Sequence, residues 1–468
     1  MPSETITTIS PITGKPILTR QGIDESDFDG ILSASKKAFS TFRYTHPLSK
    51  RQEIVQKVLK ALSERQNELG REVTEQMGRP ITYTPKEVAT AVKRGEYLLK
   101  VSDEALKDTP GEPEEGFKRW IRKEPVGTVL VVFAWNYPYI ILVNSLIPAI
   151  LAGNTLLLKP SPQTPTVAER FLEMFTEAGL PENVIQVIHA GNFDTVKALV
   201  KRPEVNAVSF TGSVAGGIAI QNAAKDRVIP VALELGGNDP AYVRDDVDVA
   251  WAAAEIVDGA VFNSGQSCCS IERVYVHESI YDTFLKEVVK VLEGYKLGDP
   301  FDEKTHLGPV VSVQSAKNIA VHLNDAKEKG AKVLTPDVFA SGVAMGPAFV
   351  RPELLADCTH QMRVMKEETF GPLIPVMKVG SDEEAIGLMN DSNLGLTASI
   401  WTKDTEKAEQ LLERVEAGTV FVNRCDYPAP DLAWTGWKDS GRGVTLSKFG
   451  FEAFTKLRSW HVKAYPNK

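Results

Sequence analysis

Two residues of this 468-residue chain have the chemistry to make and resolve a covalent bond to a carbonyl carbon. Cys268 sits in Phe262-Asn-Ser-Gly-Gln-Ser-Cys-Cys-Ser270, where an apolar helical run over 249–261 ends in a polar, glycine-containing turn. A loop cysteine beside a glycine is open to a substrate. Turn amides or a helix end lower a free thiol from its usual pKa of about 8.5 toward the reactive thiolate. Taken alone, such a cysteine is more often inert packing than a nucleophile. Glu234 closes a strand-like run over 228–233 and precedes Gly236 and Gly237. A carboxylate at a strand end before a glycine turn lies where α/β sheets place ligands, although a surface glutamate is the commoner meaning of that pattern.

Two further segments supply donors. In Ala134-Trp-Asn-Tyr-Pro138 the Asn136 amide follows a β-branched run over 128–133, and an amide there can donate to an oxyanion. In Phe210-Thr-Gly-Ser-Val-Ala-Gly-Gly217 a strand ends at Phe210 and a helix starts near Ser213. Gly212 and Ser213 would then offer amides and a hydroxyl to a phosphate at a helix N-terminus. The spacing differs from the GxGxxG dinucleotide fingerprint, and Gly441-Arg-Gly443 lacks its strand–turn–helix context.

These residues need a scaffold, and the chain reads as α/β. Residues 26–107 are mainly helical, with Ile54, Val58 and Leu62 at helical spacing. A Pro/Glu/Gly-rich break covers 109–116, and 118–123 alternates as a strand would. After Gly127, strands at 128–133, 155–159, 184–189 and 207–210 alternate with helices. The pattern resumes at 271–276, 332–334 and 373–378. Such alternation predicts parallel sheets covered by helices, in two domains.

Composition narrows the partners. A net charge of −8 without a basic stripe argues against nucleic acid or an anionic membrane. The most apolar stretch, 139–152, is shorter than the roughly 20 residues of a span, and the first residues do not read as a secretory signal. Four cysteines, Cys268, Cys269, Cys358 and Cys425, without CxxC or paired-histidine spacing, predict neither a disulfide framework nor a metal site. A soluble cytoplasmic protein is the expectation.

Together the segments resemble the aldehyde dehydrogenase superfamily from about Ile12 to His461. In order they are Trp135-Asn-Tyr-Pro138, Gly153-Asn-Thr-Leu-Leu-Leu-Lys-Pro-Ser161, Phe210-Thr-Gly-Ser213, Glu234-Leu-Gly-Gly237, Gly265-Gln-Ser-Cys268, Glu367-Glu-Thr-Phe-Gly-Pro372 and Gly436-Trp-Lys-Asp-Ser-Gly441. The resemblance implies that Cys268 attacks an aldehyde, that Asn136 holds the oxyanion, and that Glu234 activates the water that hydrolyses a thioester. It further implies cofactor contacts from Lys159, Gly212, Ser213, Gly217, Glu368 and Phe370. Lys438 and Asp439 are expected to be loop contacts.

Two departures bear on specificity. Many NAD-preferring members carry a glutamate three residues after the lysine, and this chain has Pro162. NAD is expected, with NADP not excluded. Where many members have Pro-Phe-Gly-Gly, this chain has Ala433-Trp-Thr-Gly436, so Trp434, Tyr137 and Phe262 are expected to wall the substrate tunnel. In the loop 424–431, Arg424 would anchor a carboxylated aldehyde, whereas Asp426 and Asp431 would favour an amino-aldehyde. An apolar or aromatic aldehyde is the default.

The implied organisation is a cofactor domain over 1–102 and 126–237, a catalytic domain over 238–438, and an oligomerisation element from 103–125 and 439–468. The 118–123 strand is read as an edge that pairing between subunits would cover, giving a homodimer or homotetramer. The competing readings are a CoA-acylating dehydrogenase, which Glu234 disfavours, and a silent binding protein on the same fold.

Overall fold

The computed structural model describes residues 4–465. Two parallel-based sheets carry the molecule. The first has six strands, in the order Gly441–Arg442, Val231–Glu234, Val205–Thr211, Thr128–Val132, Thr155–Lys159 and Ile185–Val187. All its pairings are parallel except the last-made one, in which Gly441 lies antiparallel opposite Glu234. Central strands of such a sheet are covered on both faces, which explains why Thr128–Val132 and Thr155–Lys159 are continuous apolar runs with every residue buried.

The second sheet has seven strands, ordered Lys332–Val333, Glu353–Ala356, Leu373–Val379, Ile271–His277, Asp239–Val243, Thr397–Trp401 and Thr419–Val422. Only its terminal Lys332–Val333 strand is antiparallel. The expected α/β architecture with two parallel-based sheets is therefore present.

Helices seat the site between these sheets. Pro138–Ala152 starts with a proline at its first turn and ends at Gly153, whose φ of 94° closes the helix. It is apolar nearly all round and is buried accordingly. Thr84–Leu106 packs against it. Val249–Val261 is capped by Asp248, whose carboxylate accepts from the Trp251 amide.

A third sheet has three antiparallel strands, Thr455–Lys463, Phe117–Pro125 and Thr109–Pro110. This corrects the edge expected at 118–123. That strand is the middle one, paired along its whole length by a segment more than 300 residues downstream, and Thr455–Lys463 is the long edge. Gly441 and Arg442, expected with this element, instead extend the six-stranded sheet. The run expected as a strand over 228–233 begins only at Val231, with Val228 fully exposed.

Candidate active site

The end of the Val249–Val261 helix determines how Cys268 is presented. Three successive residues, Asn263, Ser264 and Gly265, adopt left-handed conformations, with φ of 54°, 56° and 72°. Non-glycine residues resist this region by roughly 1–2 kcal/mol each, so the turn must be held by its neighbours. Ser264 Oγ donates to the Gly308 carbonyl at 2.8 Å, Gln266 Nε2 to the Asn263 carbonyl at 3.0 Å, and the Val311 amide to Gln266 Oε1 at 2.7 Å. A Cβ at Gly265 would meet the Gly371 carbonyl at 2.3 Å. Within 263–270 every residue is buried except Cys268. The turn hides its frame and leaves one thiol open.

That thiol faces a cavity of about 480 Å³, also lined by Asn136, Glu234, Glu368, Phe370 and Trp434. Tyr137, Gly212, Ser213, Phe262 and Asp426 line it too. The structure thus gathers residues separated by nearly 300 positions in the chain. Asn136 is 4% exposed, and its amide nitrogen donates to the Gln266 carbonyl at 3.3 Å. Asn263 returns a bond to the Asn136 carbonyl at 3.3 Å. Asn136 and the cysteine loop therefore hold one another.

Glu234 ends its strand opposite Gly441 and accepts a hydrogen bond from the Thr445 hydroxyl. Burial raises its pKa, while the Thr445 bond and the nearby Arg94 cation pull it back. Such a carboxylate is more basic than a surface one, as a general base near neutrality should be. Cys269, Cys358 and Cys425 are hard to ionise. Cys269 is raised well above the ordinary value by its contact with Cys268, its burial and Asp426. Burial pushes Cys358 up to about 12 and Cys425 further.

The cofactor candidates lie along the carboxyl ends of the six-stranded sheet. Ser213 caps the Val214–Ala223 helix by accepting from the Gly216 amide at 3.2 Å. A Cβ at Gly212 or Gly216 would strike the Phe210 ring, at 2.8 and 2.7 Å. Glu368 accepts from the Gly237 amide at 3.1 Å, and burial raises its carboxyl to about 7. A Cβ at Gly236 would sit 2.2 Å from that carboxylate, so only glycine admits it. Phe370, at φ 51°, stands edge-on to Trp135 with centroids 5.7 Å apart.

Four expected residues, Lys159, Gly217, Arg424 and the exposed Asp431, stand outside the cavity lining. Lys159 ends its strand 8% exposed, and burial lowers its ammonium to about 8. Gly217 packs against Leu235, which a Cβ would meet at 2.5 Å, so close packing accounts for that glycine. Arg424 is exposed, with its guanidinium 3.7 Å from the Tyr427 ring centroid. Asp426 turns the other way: its Oδ1 accepts from Ser267 Oγ at 2.8 Å and Cys269 Sγ at 2.9 Å. Lys438 is a loop contact, donating to the Asn390 and Ser392 carbonyls.

Several functional neighbours gave no motif. Glu87 and Arg94 both come from the buried stripe of the Thr84–Leu106 helix, and both line the cavity with Thr90. Charged residues at apolar spacing are the signal that would have found them. Glu87 pairs with Arg79, and its other oxygen accepts from the Tyr139 amide at 2.9 Å. Arg79 in turn lies 4.0 Å from the Tyr137 ring centroid. Glu272 accepts from the Thr369 and Phe370 amides at 2.8 and 2.7 Å and so shapes the loop that carries Glu368.

The described residues hold no cluster of three or more metal-ligating side chains, and no described helix is long and apolar enough to cross a membrane. Comparison with known proteins agrees with the geometry. The family described as "Aldehyde dehydrogenase family" matches residues 1–460. The chain is 32% identical over 464 residues to aminoaldehyde dehydrogenase 1, peroxisomal, of Pisum sativum, covering 97% of this chain and 91% of that one. It is 30% identical to a succinate-semialdehyde dehydrogenase [NADP(+)] of Mycobacterium avium (strain 104), covering 97% and 96%. Among solved structures, PnpE in complex with nicotinamide adenine dinucleotide superposes with a TM-score of 0.94 at 29% identity, covering 99% of this chain and 95% of that one. The NADP-dependent glyceraldehyde-3-phosphate dehydrogenase of Bacillus halodurans C-125, complexed with NADP, gives 0.92 at 30% identity, covering 99% and 96%. The family match over nearly the whole chain, together with relatives at 30% identity or more, shows that the chain belongs to the aldehyde dehydrogenase family, whose members oxidise aldehydes with NAD(P).

Proposed function

We infer that Cys268, Asn136 and Glu234 divide the oxidation of an aldehyde to a carboxylic acid among them. The observation that carries this is their convergence on one cavity, with Cys268 the one member of the 263–270 loop that is only half-buried. The Cys268 thiolate adds to the aldehyde carbon, and the oxygen that becomes negative is held by the Asn136 amide and the Cys268 backbone N–H. Losing one such donor typically costs about 10²–10³ in rate. A bound nicotinamide supplies the hydride acceptor. Glu234 takes a proton from the water that then attacks the thioester carbon, releasing the acid and restoring the thiol.

The residues present suit a dinucleotide. Lys159 is a buried ammonium at a strand's carboxyl end, suited to ribose hydroxyls or a phosphate. Ser213 stands at a helix start, and Gly236 leaves room for Glu368 to approach a ribose. Pro162 leaves no carboxylate to repel a 2′-phosphate, so NADP is admitted beside NAD. Tyr83, Tyr137, Phe262 and Trp434 give the substrate end an aromatic wall, which suits an aldehyde with an apolar or aromatic body. Four free cysteines suit a reducing cytoplasm. The exposed Leu457 and Val462 on the Thr455–Lys463 edge suit pairing with a second copy in a homodimer or homotetramer; light scattering giving a monomer would refute that.

The decisive experiment is a burst assay. Cys268→Ser should abolish turnover, whereas Glu234→Gln should release about one equivalent of reduced cofactor and then stall. Steady turnover by Glu234→Gln would remove the general-base role. Acyl-CoA as the sole product, with no free acid, would replace hydrolysis by acyl transfer to CoA.

A further inference from the structure

Arg94 is a cation in search of a partner. It lies one helical turn beyond Thr90 and two beyond Glu87, so the Thr84–Leu106 helix turns all three toward the cavity that holds Cys268. The residue is 6% exposed. Its Nη1 donates to Asn144 Oδ1 at 3.3 Å and its Nη2 to the Pro428 carbonyl at 3.1 Å, both neutral acceptors. Its Nε has no partner.

Burying a guanidinium without a carboxylate is unfavourable, and burial duly lowers its pKa. The ionisable groups within its electrostatic reach are Cys269, Glu234, Cys268 and Tyr427, of which Cys268 and Glu234 are the proposed reacting groups. By contrast, Arg79 on the same wall is neutralised by Glu87. Asp426 receives the Ser267 hydroxyl and Cys269 thiol, and exposed Lys86 adds a second positive charge to the lining.

A guanidinium's Nε and Nη2 form a two-pronged edge, the pair of nitrogens with which Arg20 grips Glu169 at 2.6 and 2.8 Å. A planar carboxylate matches that edge. Both acceptors are neutral, so those two bonds do not account for the charge. Arg424, the residue expected to anchor an acid, is outside the cavity and stacked on Tyr427.

We propose that Arg94 selects aldehydes whose far end carries a carboxylate, so that the oxidised product is a dicarboxylate. The inference rests on Cys268 being the nucleophile of the same cavity. Because Arg94 lines the same cavity of about 480 Å³ as Cys268 and Glu234, short carboxy-aldehydes fit best.

The test compares kcat/KM for four- to six-carbon aldehydes, and for benzaldehydes, ending in carboxylate, methyl ester, phosphate or ammonium. The wild-type enzyme should favour carboxylate over methyl ester by roughly ten- to hundredfold, as a charge-assisted pair allows, mainly through KM. Arg94→Gln should bring that ratio toward one, and Arg94→Lys should keep part of it. Independently of any variant, short dicarboxylates should compete with the aldehyde and protect Cys268 of the wild-type holoenzyme from iodoacetamide, while monocarboxylates of equal length should not. A ratio unchanged in Arg94→Gln, a wild-type preference for ester, phosphate or ammonium, or absent protection would each overturn the assignment of Arg94. Full turnover by Cys268→Ser would instead overturn the reading on which it rests.

Discussion

The hydroxyl of Thr445 donates to Oε1 of Glu234, from a segment that also bridges to Trp434: the Trp434 amide bonds the Thr445 carbonyl, and the Thr445 amide the Trp434 carbonyl, each at 2.9 Å. The proposed base, Glu234, and the aromatic Trp434 of the same cavity are thus fixed by one residue. Burial raises the Glu234 pKa, and Thr445 opposes that rise by bonding the charged form. Thr445→Val should lift it further. Glu234 works as a base only when ionised, so its contribution falls as pH drops through that pKa. The acid limb of thioester hydrolysis should move up by roughly one pH unit, as loss of a hydrogen bond to a charge implies. Pre-steady-state kinetics between pH 5 and 9 would read it, and an unmoved limb would mean that Thr445 does not tune the base.

Lys159 makes the opposite demand on pH. Its ammonium, lowered to about 8 by burial, is charged below that value and neutral above it. Its attraction for cofactor oxygens is present at pH 7 and is lost as pH rises through 8. The KM for NAD should therefore climb between pH 7 and 9.5, and Lys159→Arg, which stays charged, should flatten the climb. A KM equally pH-dependent in both proteins would exclude Lys159 as its source.

Pro162 is proposed to leave NADP admissible beside NAD. Its carbonyl accepts from Thr8 Oγ1 at 2.7 Å, and the neighbouring Gln163 bonds the Ile9 and Gln76 carbonyls, so the backbone is held by contacts that do not involve the Pro162 side chain. Pro162→Glu would place a carboxylate where a 2′-phosphate must pass. We expect kcat/KM with NADP to fall at least about tenfold relative to NAD, a difference that one repulsive charge readily supplies. An unchanged cofactor ratio would show that the 2′ position lies elsewhere.

Glu87 is the structural counterpart of these functional contacts. It neutralises Arg79 and accepts from Tyr139 at the start of the helix that follows Asn136. Glu87→Ala strands a buried guanidinium and an amide, and should cost about 3–5 kcal/mol of stability. Glu87→Gln, which keeps the Tyr139 acceptor, should cost less. Urea-unfolding midpoints would rank the two; equal midpoints for Glu87→Ala and wild type would refute the role.

The residues proposed to react were legible because each sits in a short contiguous signature: Cys268 after its glycine turn, Glu234 before two glycines, Asn136 before Pro138. Strand–helix alternation made the two sheets legible as well. The missed residues share a physical reason. Arg94 and Glu87 lie in a helix whose buried stripe is otherwise uncharged, and only the packing against Pro138–Ala152 reveals that their charges are buried. The loop 424–431 was ambiguous because Arg424 and Asp426 have opposite signs. Left-handed backbone at Asn423 and Asp426, with φ of 58° and 46°, accompanies the reversal that turns the acid inward and leaves the base outside. No periodicity encodes that reversal. Nor does any local pattern announce that 118–123 is covered by the Thr455–Lys463 strand, since the pairing spans most of the chain.

The Gly441–Arg442 strand laid against Glu234 has a consequence for biosynthesis. The hydroxyl that holds Glu234 is encoded 211 residues after it, so at ordinary ribosomal speeds roughly 10–40 s separate the two. Cys268 is made within that interval, before the strand that braces the base exists. A nascent chain halted there carries its thiol without the supported carboxylate, and acquires a complete turnover cycle only when this late segment folds back onto the six-stranded sheet.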